Sequence, residues 1–288
     1  MSRMRRLTII GAGHLGQTLG RLWADGRTLH IGEVVNRTPA SSAAALDFIG
    51  AGTAVASIAQ LSTADIVLIA TPDDRIAEIC DTLAAGGKLT ADSIVFHCSG
   101  ASTSALLAAA SGVGAAVASI HPVRSFAQPA QVAANFAGTR CGVEGDARAL
   151  VVLEQAFADI GAQFVIIKAE QKVLYHAAAV FACNYLVTLQ DVARAAYVEA
   201  GMTSASALAI MEPLVRETMD NIFRHGPEQA LSGPIARGDM ATVARQQAAV
   251  TAWNPAHGAL YAQFAELTRA LAARRTMSAA VKFDDPSL

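Results

Sequence analysis

Several things are scarce in this sequence, and each scarcity excludes a class of protein. Positive charge is not in excess: 22 Lys and Arg stand against 24 Asp and Glu, a net charge of −2. No basic stripe is visible, so nucleic acid is not an expected partner. The four cysteines, Cys80, Cys98, Cys141 and Cys183, lie too far apart for a C-x-x-C pair. That argues against a zinc or redox motif, leaves no metal site expected, and fits a reducing, cytoplasmic compartment. Long apolar runs are missing too. Arg5 and Arg6 before Leu7–Ile10 imitate the start of a signal peptide, but the run stops at Gly11, too short for an h-region. Two stretches lack charge, Ala101–Ile120 and Val173–Gln190. The first is rich in Ser, Gly and Ala, and the second carries His176, Asn184 and Gln190, so both read as buried elements of a soluble fold, with no membrane partner expected.

What remains is an alanine-rich chain of 288 residues, 53% hydrophobic and only 16% charged. The length allows one large domain or two ordinary ones, and the low charge suggests surface covered between subunits. Residues 1–167 alternate β-branched runs with Ala-rich stretches. Strands are predicted at Arg6–Ile10, Ile31–Asn36, Ile66–Ala70, Ser93–His97, Ala116–Ile120, Arg140–Val143 and Phe164–Ile167. Helical patterns fill the gaps, which reads as an α/β domain with a doubly wound parallel sheet of the Rossmann type. Residues 168–288 lose the strand signal. Long helical patterns broken at Gly201, Gly226-Pro227, Gly233-Pro234 and Asn254-Pro255 predict an all-helical domain for dimerisation and substrate.

The first strand ends in Gly11-Ala12-Gly13-His14-Leu15-Gly16, and a helix follows. In that context G-x-G-x-x-G is a dinucleotide turn. Gly11 permits the tight bend, Gly13 lets backbone approach the pyrophosphate, and Gly16 allows close helix–strand packing. The helix N-terminus offers N–H donors to the phosphates. The second strand ends Asn36-Arg37-Thr38, twenty residues past Gly16. An acidic residue there would hold the ribose of NAD, whereas a neutral residue followed by Arg suits a 2′-phosphate. The cofactor expected is therefore NADP. Glu33 is counter-evidence, but it falls mid-strand.

Ligands gather at the carboxyl ends of such strands. Three ends here are polar: Ala70-Thr71-Pro72-Asp73-Asp74, His97-Cys98-Ser99-Gly100, and His121-Pro122-Val123-Arg124-Ser125. The first passes beside the cofactor, and Asp73 and Asp74 read best as N-caps of the next helix. His121 can take or give the proton that accompanies hydride transfer, helped by Ser99, while His97 on the strand body reads as structural. The next helix opens with Lys172 and His176 on one face, and Asn184 continues that arc. Lys172 is expected to orient a substrate carboxylate or polarise a carbonyl, with His176 or Asn184 beside it. The alternative is a solvated Lys above a buried His–Asn network. In the loop Gly233–Asp239, Arg237 can clamp an anionic substrate with Asp239 near it, or Asp239 can simply cap the following helix.

These motifs together resemble the 6-phosphogluconate dehydrogenase-like superfamily. That group includes pyrroline-5-carboxylate reductases, ketopantoate reductases, prephenate dehydrogenases and deazaflavin-dependent NADP oxidoreductases. Nearest is a bacterial family of Rossmann-like proteins with a C-terminal helical domain of unknown function. The resemblance rests on His97-Cys98-Ser99-Gly100, His121-Pro122 with Ser125-Phe126, Lys172 with Tyr175-His176, Asn184, and Gly233–Asp239. It implies an NADP-linked oxidoreductase and a homodimer with interlocked helical domains. Asn36-Arg37-Thr38 is similar to the NADP-selecting segment of pyrroline-5-carboxylate reductases. Ser99 and His121-Pro122 resemble elements of prephenate dehydrogenases, where the His handles the substrate hydroxyl. The Ser- and Gly-rich substrate loop of the pyrroline-5-carboxylate reductases is replaced by Gly233–Asp239, so the substrate does not carry over. Two readings stand: an enzyme moving hydride between NADP(H) and a small C=O or C=N compound, or a non-catalytic NADP-binding regulator. A methyltransferase would want an acidic residue where Asn36-Arg37 stand.

Overall fold

The computed structural model describes residues 4–283, with side chains through Arg275. Contacts divide the chain into two compact units, one running to Ala182 and the other beginning at Cys183.

The first unit is built on a single eight-stranded sheet. Its strands are β1 (Arg6–Ile10), β2 (His30–Val35), β3 (Thr53–Ala54), β4 (Ile66–Ile69), β5 (Ile94–His97), β6 (Ala116–Pro122), β7 (Arg140–Gly145) and β8 (Gln163–Ile166). They lie in the order β3-β2-β1-β4-β5-β6-β7-β8. From β1 the chain winds outward to β3, then returns to β4 on the other side. The carboxyl ends of β1 and β4 therefore flank the switch point where doubly wound sheets bind ligands. The helices are α1 (His14–Asp25), α2 (Pro39–Ile49), α3 (Ile76–Ala85), α4 (Ala108–Gly112), α5 (Pro129–Ala134), α6 (Ala147–Ala158) and α7 (Lys172–Ala179).

Strand side chains alternate between two apolar layers, as a period of two requires. Leu7, Ile9, Ile66, Leu68, Ile94 and Phe96 pack on one face with Trp23 of α1 and Phe157 of α6. Ile10, Val67, Ile69 and Val95 pack on the other with Ile76, Ile79 and Leu83 of α3. Trp23 stands edge-on to Phe157 at 5.2 Å between centroids, and its indole N–H donates to the Ala156 carbonyl.

The expected α/β architecture is present, with one departure: β6 and β7 pair antiparallel, so β7 and β8 run against the other strands. The 123–139 link carries only the short α5, and an antiparallel neighbour needs no crossover helix over the sheet face. The sequence pattern also missed β3, a two-residue edge strand.

The second unit contains α8 (Tyr185–Glu199), α9 (Ser204–His225), α10 (Pro227–Ala230), α11 (Met240–Trp253) and α12 (Pro255–Phe283). Side chains mark the starts of α9 and α11: Thr203 accepts from Ser206 N and Asp239 from Thr242 N. The sequence pattern put the boundary at 167/168. The contacts put it at 182/183, because α7 is fastened to the sheet.

A π-helical turn, Val180–Asn184, follows α7. Within the described residues, Ala169–Glu199 is the one stretch long and apolar enough to cross a membrane by length and composition. It is not the buried element that the sequence suggested, for Val173 and Val187 are both 71% exposed and nothing among the described residues covers them. Lys172, near its start, is nonetheless held in an ion pair to a sheet strand.

Candidate active site

The glycine turn sits where the topology requires. Gly11 adopts φ +83°, and a Cβ there would stand 2.6 Å from Thr71 Cγ2, so only glycine fits. A Cβ built on Gly13 would meet nothing within 4 Å: it would project into open cleft, where a pyrophosphate can lie. Gly16 packs beneath the turn, its missing Cβ 2.9 Å from the Gly11 carbonyl and 3.2 Å from Ala70 Cβ. No side chain caps the N-terminus of α1, so its first-turn N–H groups are left to a ligand.

A cavity of about 750 Å³ runs along this turn. Gly11, Ala12, Gly13, Asn36, Arg37, Thr38, Ala70, Thr71 and Pro72 all line it, whereas His14, Leu15 and Gly16 do not. The Thr71 hydroxyl is buried and unpartnered, a polar atom that a bound polar group would satisfy. The three residues after β2 divide their work. Asn36 Oδ1 accepts from Ala12 N at 2.6 Å and its Nδ2 donates to the Ser41 carbonyl, tying the glycine turn to α2. Thr38 caps α2 in a reciprocal box with Ser41. The hydrogen bonds expected from Asn36 and Thr38 to the cofactor are therefore replaced by bonds within the loop. Arg37 has no ionic or hydrogen-bond partner among the described residues and is exposed at the cavity. Glu33 pairs with Arg6 at 3.1 Å and bonds Ser62, away from the strand end. Arg75 and Glu78, an ion pair at 2.9 Å, also line the cavity; the sequence showed Arg75 only as a helix start.

One step beyond Pro72, the chemistry changes. Asp73 is not a helix cap: its carboxylate accepts the Ser99 hydroxyl at 2.5 Å. Ser99 Oγ in turn accepts from the Ser102 amide, so this hydroxyl joins the loops after β4 and β5 rather than standing free. His97 is buried, accepting from Ser99 N through Nδ1 and bonding the Thr103 carbonyl through Nε2. Its proton affinity is lowered, chiefly by burial, which fits the structural role expected.

Two rungs attach α7 to the sheet. Ser119 and His121, two apart on β6, share a face, and the antiparallel register sets them opposite Glu144 and Gly142 of β7. Two strand residues span roughly 6.8 Å and three helical residues about 4.5 Å, close enough for i, i+3 positions of a helix to reach both. Lys172 reaches the first. Its ammonium donates to Glu144 at 3.0 Å and contacts Ser119, entirely buried. Burial lowers the Lys172 pKa, and Glu144 opposes that shift. The Glu144 carboxylate also accepts the amide and hydroxyl of Ser104. The expected contact of Lys172 with substrate is thus corrected: the ammonium is entirely buried, with two of its three N–H groups directed to Glu144 and Ser119.

Tyr175 reaches the second rung, its hydroxyl 3.0 Å from His121 Nδ1. Gly142 makes room, since a Cβ there would collide with that hydroxyl. His121 is pushed down to about 4, first by burial, then by His176 and Lys172, with Asp73 opposing; it is neutral near pH 7. His176 lies edge-on to His121 with ring centroids 5.6 Å apart. Its Nδ1 is buried without a partner, crowding the place a Gly100 Cβ would take. Ser99, His121, Tyr175 and His176 thus gather at one strand end.

Asn184 closes the π turn, which departs from regular helical spacing, and is exposed. Asn184, Arg237 and Asp239 belong to the second unit, where Asp239 is the cap of α11. Sequence reasoning named Tyr175 only within the motif of Lys172 and His176 and gave it no role, although it lies at i+3 from Lys172. It missed Glu144 because strands read as parallel give no opposing register.

Residues 2–122 match a family described as a Rossmann-like domain, and residues 139–268 match a domain of unknown function, DUF2520. Protein TM1727 from Thermotoga maritima is 25% identical, with a TM-score of 0.74 over 94% of this chain and 99% of that one. A candidate NADP oxidoreductase, BF3122 from Bacteroides fragilis, is 20% identical, with a TM-score of 0.72 over 92% and 98%. A pyrroline-5-carboxylate reductase from Coxiella burnetii is 16% identical, with a TM-score of 0.60 over 96% and 98%. No curated protein matches the chain. The resemblance read from the motifs is borne out at the level of domains and fold.

Proposed function

We propose that this chain, a Rossmann-like domain joined to a DUF2520 domain, is an NADP(H)-dependent oxidoreductase acting on a small C=O or C=N compound, of keto acid or imine type. The observation that carries this is a run of adjoining chain. A cavity lined by the glycine turn, with the unpaired Arg37 in its lining, is bounded by Thr71 and Pro72; the next residue, Asp73, accepts the Ser99 hydroxyl, and Gly100 after Ser99 abuts His121 and His176.

When bound, the cofactor supplies or accepts the hydride. The Gly11–Gly13 turn and the start of α1 would hold its pyrophosphate, and Arg37, free of acidic partners, a 2′-phosphate. His121 handles the proton, and Ser99 and Asp73 fix the loop beside it. The names of structural neighbours support the choice: BF3122 is described as a candidate NADP oxidoreductase, and the Coxiella protein as a pyrroline-5-carboxylate reductase. A cytoplasmic location fits four unpaired cysteines. A homodimer fits the exposed Leu208, Ile210, Leu214 and Phe223 on α9, and light scattering tests it.

Fluorescence titration tests the cofactor. NADPH binds more tightly than NADH, and Arg37→Ala weakens NADPH by about 1–3 kcal/mol, the scale of a charge-assisted hydrogen bond, while leaving NADH nearly unchanged. Equal affinities of the native chain for both would sink the NADP reading. A panel of keto acids and cyclic imines, followed by loss of NADPH absorbance, then finds the substrate. Tight NADPH binding without turnover of any member would favour the regulator instead.

A further inference from the structure

We propose that Tyr175 locks His121 in the neutral form protonated on Nε2, which makes the site a proton donor suited to reduction of the C=O or C=N bond. This rests on the oxidoreductase reading above.

The argument is an accounting of protons around one hydroxyl. His121 Nδ1 and the Tyr175 oxygen are 3.0 Å apart, and either could donate. Whatever its lone pairs accept, the phenolic hydroxyl has its own proton to place. Its only acceptor among the described residues is His121 Nδ1. A neutral imidazole that accepts at Nδ1 carries its proton on Nε2. Burial keeps the tyrosine protonated, and the same burial, with His176 and Lys172 nearby, keeps the imidazole from taking a second proton.

The Nε2 end has no hydrogen-bond partner among the described residues and is not sealed in the interior. Gly100 keeps it open: a Cβ there would stand 2.9 Å from Nε2. A substrate oxygen or nitrogen can lie against this N–H. As the substrate carbon takes a hydride from the reduced nicotinamide, the C=O or C=N π bond breaks. Its heteroatom then takes the proton from Nε2. As Nε2 gives up its proton, Nδ1 takes the one on the Tyr175 hydroxyl; a proton from water then returns to Nε2 while Nδ1 hands its proton back to the tyrosine. The reverse direction needs a bare Nε2, and so needs Tyr175 to turn its proton away from its one acceptor.

The test is histidine ¹⁵N NMR on the full-length chain, with His121 assigned by its loss in His121→Gln. In the native chain Nε2 is protonated and Nδ1 is not. In Tyr175→Phe the ring moves toward the other tautomer while NADPH binding is unchanged. A native His121 protonated on Nδ1 overturns the proposal even if NADPH binds. So does a Tyr175→Phe spectrum identical to the native one. If that variant does not fold, the native spectrum decides alone. The expected tautomer in a chain that binds no NADPH overturns the oxidoreductase reading instead, and the donor role with it.

Discussion

On β6, Ser119 and His121 stand two residues apart, each facing a β7 residue and each reached from α7. The Ser119 rung closes on itself. Lys172 and Glu144 satisfy each other in the interior, and Ser104 takes up the remaining carboxylate capacity. The His121 rung is left incomplete, with glycine opposite, a tyrosine on one nitrogen and the other nitrogen open. The same backbone spacing thus yields a fastening and a reactive group. The difference lies in whether every polar atom has a partner.

Breaking the closed rung has the largest effect. Lys172→Met leaves Glu144 buried without its cation and costs about 3–5 kcal/mol in urea unfolding. The double change Lys172→Met with Glu144→Leu recovers only part of that loss, because the apolar pair carries no stranded charge but leaves the Ser104 amide and hydroxyl without their acceptor. If Lys172→Met costs less than about 1 kcal/mol, the range of an exposed pair, the rung is not the fastening described.

Crowding the open rung comes next. Gly142→Ala puts a methyl group on the Tyr175 hydroxyl, costing about 1–3 kcal/mol as overpacking does. It also removes Tyr175 from His121, which the histidine NMR spectrum registers.

The smallest effect is one of pH. His121 binds its proton near pH 4 in the folded chain but near pH 6.5 when unfolded. Between those values the unfolded state holds more protons, so stability rises with pH in that window and is lost as pH falls toward 4. Burial sets most of the shift, with His176 and Lys172 adding to it and Asp73 opposing it. Urea midpoints compared between the native chain and His121→Gln isolate it; parallel pH profiles would remove the perturbed histidine.

The cofactor end was legible because its chemistry is local. Strand, Gly11-x-Gly13-x-x-Gly16 and helix adjoin in sequence, and Arg37 lies two residues past the end of β2. The rungs were less so. Their members come from β6, β7 and α7, and Glu144 meets Lys172 only through an antiparallel register that a parallel reading hides. His121 was visible as a residue, but its partner Tyr175 was passed over in favour of the i, i+4 pair Lys172 and His176. Asn184 was placed with them by regular helical spacing, which the π turn at Val180–Asn184 breaks.

A crystal structure of the chain with NADPH joins the two ends most directly. The pyrophosphate is expected on Gly11–Gly13, the 2′-phosphate at Arg37, and the nicotinamide against Ser99 and His121. A dinucleotide seated elsewhere, or one whose nicotinamide points away from the ends of β5 and β6, would contradict the proposed activity.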